Sequence, residues 1–224
     1  MTNTERVIHT QYIEKRFTMN MFMTSVLALT TSTALAGFDA PNSHSWPMEH
    51  IRLSLVDGQV DAHANEGASV DMLLFEGEQY SGAASSLNDS YYSDQYGWVA
   101  DGFISLNAGE FMWIQMIDSS VGLNVYEGGM RPMSANHTYD AILGTDTSST
   151  AWMWSGLMTH NWYSADELGT YQATYEIFIG DIDGNALSTY TSDTVTLNFN
   201  AVPSPSSALA LGLGGLVATR RRRA

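Results

Sequence analysis

Apolar and polar residues alternate in short runs along most of this chain. Ile51, Leu53 and Leu55 alternate with Arg52 and Ser54, and Asp57-Gly58 follows. Val60 and Ala62 then alternate with Gln59, Asp61 and His63. That order predicts two strands joined by a two-residue hairpin turn. The apolar run 70–75 predicts a third strand. Residues 77–97 are rich in Gly, Ser, Tyr and Asp and predict a long exterior loop that carries exposed aromatic faces through Trp98. Residues 103–106 predict a short strand, and Asn107-Ala108-Gly109 a turn. The run 110–118 is apolar on both faces at 111–114, which predicts a central strand covered on both sides. Further strands are predicted over 121–126, 137–143, 151–157, 169–179 and 194–199, with a turn at Asp183-Gly184. No amphipathic helix interrupts them. About nine short strands, with turn signals every 8 to 12 residues, predict an all-β fold: a single β-sandwich, jelly-roll-like or immunoglobulin-like.

The two ends of the chain follow different rules. Val202-Pro203-Ser204-Pro205 cannot continue a helix or a central strand. Residues 208–218 carry no charge, and Arg220, Arg221, Arg222 and Arg223 close the basic tail. This order of Pro motif, apolar helix and Arg tail resembles the PEP-CTERM sorting signal, with Ser204 where the family has Glu. The resemblance implies export and transient retention in the inner membrane. It also implies processing near 202–205 by an exosortase-type enzyme, and delivery to the cell surface or extracellular matrix. The apolar run is short of the roughly 18 residues that a free-standing span requires.

At the other end, Lys15 and Arg16 precede a weakly apolar stretch, and Ala34-Leu35-Ala36 has the small-x-small form that signal peptidase cuts. Cleavage after Ala36 leaves Gly37 first. Residues 1–18 suit a signal start poorly, so Met19 is an alternative initiator. The chain therefore divides into a signal peptide with its helix (1–36), a β-domain (37–201) and a sorting tag (202–224).

Charge narrows the function of the β-domain. Residues 37–201 hold two cations, Arg52 and Arg131, against 22 acidic residues, a balance near −20. Such a surface repels phosphate backbones, which excludes nucleic acid as a partner. The absence of Cys removes disulfides, thiolate metal sites and cysteine nucleophiles. No Gly-x-Ser-x-Gly, P-loop or dinucleotide fingerprint occurs, and the domain reads as non-catalytic.

The alternative is a surface module that binds a divalent metal or a carbohydrate such as an exopolysaccharide. His44, His50, His63, His137 and His160 lie in the β-domain. Asp61 and His63, two apart on a strand, face the same way and form the first candidate metal pair. His160, in His160-Asn161-Trp162-Tyr163, is the second candidate, placed at a strand–loop junction. Zn²⁺ suits such donors. Residues 98–171 also resemble the bacterial surface domains called choice-of-anchor M. The shared features are the apolar strand 111–117, Gly122-Leu123-Asn124-Val125-Tyr126, the His-Asn-Trp-aromatic segment and Gly169-Thr170-Tyr171. The family's His-x-His is here Met158-Thr159-His160. The resemblance implies a link to metal handling. Asp181-Ile182-Asp183-Gly184-Asn185 suggests Ca²⁺ but fails the EF-hand pattern, with Ala186 sixth and Ser192 twelfth. It reads as a turn. Tyr92 and Trp98 are the candidate carbohydrate platforms, whereas Trp152 and Trp154 are expected to fill the core.

Overall fold

The computed structural model describes residues 40–41 and 47–204. They form eleven strands in chain order. These are β1 (Glu49–Val56), β2 (Gln59–His63), β3 (Ser69–Leu73), β4 (Tyr91–Ser93), β5 (Tyr96–Ala100) and β6 (Phe111–Ser119). They continue as β7 (Asn124–Gly129), β8 (Ala151–Met153), β9 (Thr159–Ala165), β10 (Gly169–Gly180) and β11 (Asp193–Val202). The helical content among the described residues is three short 3-10 segments, Gly82–Leu87, Arg131–Asn136 and Thr145–Thr147. The fold is all-β. Among the described residues no helix is long and apolar enough to cross a membrane. The signal segment with Ala34 and Ala36, the apolar run 208–218, Pro205 and the tail Arg220 to Arg223 lie outside the described residues.

The strands form one mixed sheet in the order β2-β1-β5-β9-β4-β3-β11-β10-β6-β8, with β7 paired to β9. Two pairs are parallel, β1 with β5 and β3 with β11. The first hairpin turns as expected: Asp57 and Gly58 have φ of 52° and 80°, the double positive φ of a tight hairpin. The longest ladders join β10 to β11, from Gly169↔Ala201 to Ile177↔Asp193, and β10 to β6.

Several expectations are corrected. Residues 77–97 are not an exterior loop. They contain a 3-10 segment, β4 and the start of β5, and β4 and β5 follow one another along β9. Residues 103–106 form no strand; Ile104 and Leu106 pack against the core from irregular backbone, and Phe103 is 91% exposed. Residues 137–143 do not extend as a strand because Tyr139 and Leu143 adopt φ of 56° and 54°, which an extended strand cannot contain. Strand β8 is confined to three residues.

The doubly covered strand is β9, all seven of whose residues are buried. Strand β6 instead lies one place from the end of the order, between β10 and β8, and three of its residues are exposed. Two apolar clusters sandwich β9. The larger includes Ile51, Leu53, Trp98, Tyr163, Tyr175 and Phe199. The smaller gathers Tyr80, Leu87, Tyr92, Tyr126, Tyr139 and Trp162. Alternation along β9 sends Tyr163 and Ala165 to the first and Trp162 to the second.

Candidate functional site

The most concentrated polar chemistry lies on the Trp162 side of β9. His160 shares that face with Trp162 by the two-residue period and is fully buried. On the neighbouring strand β5, Gly97 stands opposite His160. On β1, the next strand over, His50 stands opposite the same Gly97. Tyr96 and Trp98 point to the other face, so the glycine leaves an uncovered patch of backbone between two imidazoles. The rings meet across it edge to face, with centroids 6.0 Å apart. A Cβ on residue 97 would lie 2.4 Å from His160 Nε2 and 2.5 Å from Cε1, so no other residue type fits beneath this ring.

The break between β4 and β5 supplies the anchor. The Asp94 carbonyl accepts a hydrogen bond from His160 Nδ1–H at 2.7 Å. A carbonyl can only accept, so the proton sits on Nδ1 and Nε2 carries a lone pair. That Nε2 has no hydrogen-bond partner, and neither has the buried Nε2 of His50. The Asp94 side chain is held in turn by Arg131, whose Nε and NH2 donate to the two carboxylate oxygens at 3.0 Å each. Both partners are buried. One of the domain's two cations is thus spent inside, fixing the residue that orients His160. Burial pushes the His160 imidazole down to about 4, against the opposing pull of Asp94, with Arg131 and His50 adding to the downward shift. His160 is neutral near pH 7.

A lid of chain closes over this face. Gly128 passes so near β9 that a Cβ there would lie 1.7 Å from the His160 carbonyl oxygen, and its N–H donates to Asn161 Oδ1 at 3.2 Å. His137 packs above Trp162. Its Nδ1 accepts from Trp162 Nε1–H at 3.0 Å and its Nε2–H donates to the Met130 carbonyl at 3.1 Å. Both of its nitrogens are engaged.

The residues singled out from sequence are scattered across the sheet. Asp61 and His63 come together on β2, with His63 Nδ1 3.1 Å from Asp61 Oδ2, and both are exposed. They are not joined to His160, from which β1 and β5 separate them. His160 is the second residue of β9, just past the irregular segment 154–158. Among the described residues no three His, Cys, Asp or Glu side chains converge on one point. His44 lies outside the described residues.

Tyr92 and Trp98 do not present exterior faces: they are 2% and 0% exposed. Trp98 stacks edge-on against Tyr175 at 5.5 Å, and the Tyr92 hydroxyl shares a short hydrogen bond with Tyr80, which donates to Glu78. In the 181–185 segment, Asp181 accepts from the backbone N–H groups of Asp183 and Asn185 and from the Asn185 amide. Its carboxylate closes the turn. Trp154 is buried as expected, and Trp152 is half-buried with its indole N–H on Glu127.

Sequence reasoning missed the grouping of His50, Gly97, Asp94 and Arg131. The scarcity of cations was the available signal, because either of only two arginines in so acidic a domain is a natural partner for a buried carboxylate.

No protein-family model matches the chain, and no curated protein matches it either. The functional reading therefore rests on the residues and their arrangement.

Proposed function

We propose that this chain is an exported, non-catalytic protein of the cell envelope or extracellular matrix. Its C-terminal segment is recognised by an exosortase-type enzyme after signal peptidase has acted at Ala36. The observation that carries the reading is the order of three segments after the β-domain: Val202-Pro203-Ser204-Pro205, the uncharged run 208–218 and the four arginines. Inner-membrane retention is transient in this reading, since the uncharged run is short for a permanent span. The −20 balance of the domain suits a surface held in solution among exopolysaccharides.

Strand β11 runs up to the start of this tag. Val202 pairs with Leu73, Pro203 follows at once and Ser204 is 7% exposed. The sheet thus keeps its hold one residue past the expected boundary at 201, and processing on the far side of Ser204 leaves β11 whole. In the same reading the single sheet folds over its larger cluster as a β-sandwich. Hydrogen bonds from Val60 N–H to the Thr191 carbonyl (3.0 Å) and from Thr191 N–H to the Gly58 carbonyl (2.9 Å) support this, since they draw the β2 end back towards β11.

The test is the intact mass of the exported protein from two strains, one with an exosortase and one without. The expected result is loss of the 208–224 segment only where the enzyme is present. Identical masses from both strains overturn the reading.

A further inference from the structure

We infer that His50 and His160 form a two-imidazole site for a divalent first-row transition metal of the zinc and copper class, seated over Gly97. Three observations carry it. First, both Nε2 atoms are buried and without a hydrogen-bond partner. Buried polar atoms are nearly always satisfied, and a metal ion would satisfy both of these imidazole nitrogens at once. Second, the tautomer of His160 is fixed from behind. Nδ1–H is tied to the Asp94 carbonyl, and Asp94 is locked by Arg131. A backbone carbonyl on the rear nitrogen and a bare Nε2 in front is how proteins present a histidine to a metal.

Third, the spacing fits. A Zn–N bond of about 2.0–2.1 Å puts each ring centroid roughly 3.2 Å from the ion, so two imidazoles lie roughly 5.2 Å apart at a tetrahedral angle and roughly 6.4 Å apart when opposite. The observed 6.0 Å lies between these two limits, so the pair can reach one ion at an angle wider than tetrahedral. Gly97 provides the clearance, since any side chain there would collide with His160.

The donor set selects the ion. Imidazole nitrogen suits Zn²⁺, Cu²⁺ and Ni²⁺, whereas Ca²⁺ and Mg²⁺ require oxygen ligands. No third His, Cys, Asp or Glu among the described residues converges with this pair. Its carboxylate neighbour Asp94 is already paired with Arg131. Among the described residues the protein contributes two ligands to this ion. The exposed Asp61 and His63 pair on β2 is a separate place and serves as the internal control.

The experiment titrates the intact, chelator-stripped protein with ZnCl₂ and separately with CuCl₂ by calorimetry, alongside CaCl₂. One equivalent of Zn²⁺ or Cu²⁺ is expected, with no Ca²⁺ uptake on this pair. His50→Ala should weaken uptake by at least about tenfold, the scale on which even supporting residues of metal sites act. His63→Ala should leave it unchanged. His50 is only half-buried, so the variant is expected to keep its fold, which circular dichroism checks. X-ray absorption of the loaded wild-type protein gives an answer free of any variant and should count two imidazoles per metal. No stoichiometric uptake, uptake unchanged by His50→Ala, or fewer than two imidazoles per metal overturns the proposal. None of these results bears on the sorting reading, which is decided by the mass of the exported chain.

Discussion

His160 and His137 show how strongly this fold dictates single protonation states. Burial lowers the proton affinity of both, and for His137 it outweighs the Met130 carbonyl, which pulls the other way. His160 faces Asp94, Arg131 and His50, and of these only Asp94 favours its charged form. Between about pH 6.5 and pH 4 the unfolded chain binds protons that the folded chain refuses, so stability is complete above that window and declines as pH falls through it. His160 alone accounts for a loss on the order of 3 kcal/mol across the window. Urea melts of the chelated protein at pH 7.5 and pH 5.0 should show a lower midpoint at pH 5.0, where most carboxylates remain ionised. His160→Gln should show a smaller drop than wild type. Equal midpoints for the wild type at the two values would contradict this account.

The strands carry a different lesson, and β9 with β7 shows it best. The β7 ladder slips between Tyr126 and Gly129, and Gly128 sits in that irregularity against the β9 backbone. The obstacle to a larger residue is a carbonyl and a Cα, not the end of a flexible side chain. Gly128→Ala should therefore destabilise the domain by about 3 kcal/mol, at the upper end for an added methyl in a packed site. Chemical denaturation measures it; a loss under about 1 kcal/mol would mean that β7 moves away freely.

The same two strands mark the limit of what the sequence disclosed. Strands with one wet face, such as β1, β2 and β10, announce themselves by alternation, and the Asp57-Gly58 turn between the first two was legible. Strand β9 hides because both of its faces are dry. His160, Asn161 and Ser164 interrupt its apolar residues, yet each is buried, with His160 bonded to the break between β4 and β5 and Asn161 bonded to β7. The site hides for a related reason. His50, Gly97 and His160 are brought level by register between strands distant in the chain, and no spacing rule records that. Tyr92 and Trp98 misled because tyrosine and tryptophan beside Gly, Ser and Asp look like loop residues, whereas here their polar tips lie inside.

Taken whole, the domain is an acidic shell around a core that consumes one of its two cations. With Arg131 buried against Asp94, Arg52 is the remaining basic side chain to offset the carboxylates of residues 37–201. Mutual repulsion among those carboxylates strains the folded state at low ionic strength. Raising NaCl from about 0.02 M to 0.5 M shortens the screening length several-fold and should raise Tm by roughly 3–6 °C, which corresponds to 1–2 kcal/mol for a domain of this size. A flat or falling Tm would show that the charges are already balanced locally.

Strand β11 finally bears on how such a domain withstands being held. It lies between β3 and β10 and gives way to Pro203 immediately after Val202. Tension transmitted through Pro203 enters along the strand axis. It loads the hydrogen bonds on both flanks together, in shear, instead of peeling them apart one at a time. The end of β11 is a mechanical clamp, and the domain would resist a pull on its C-terminal side far better than a pull that peels the three-residue β8 from the end of the strand order.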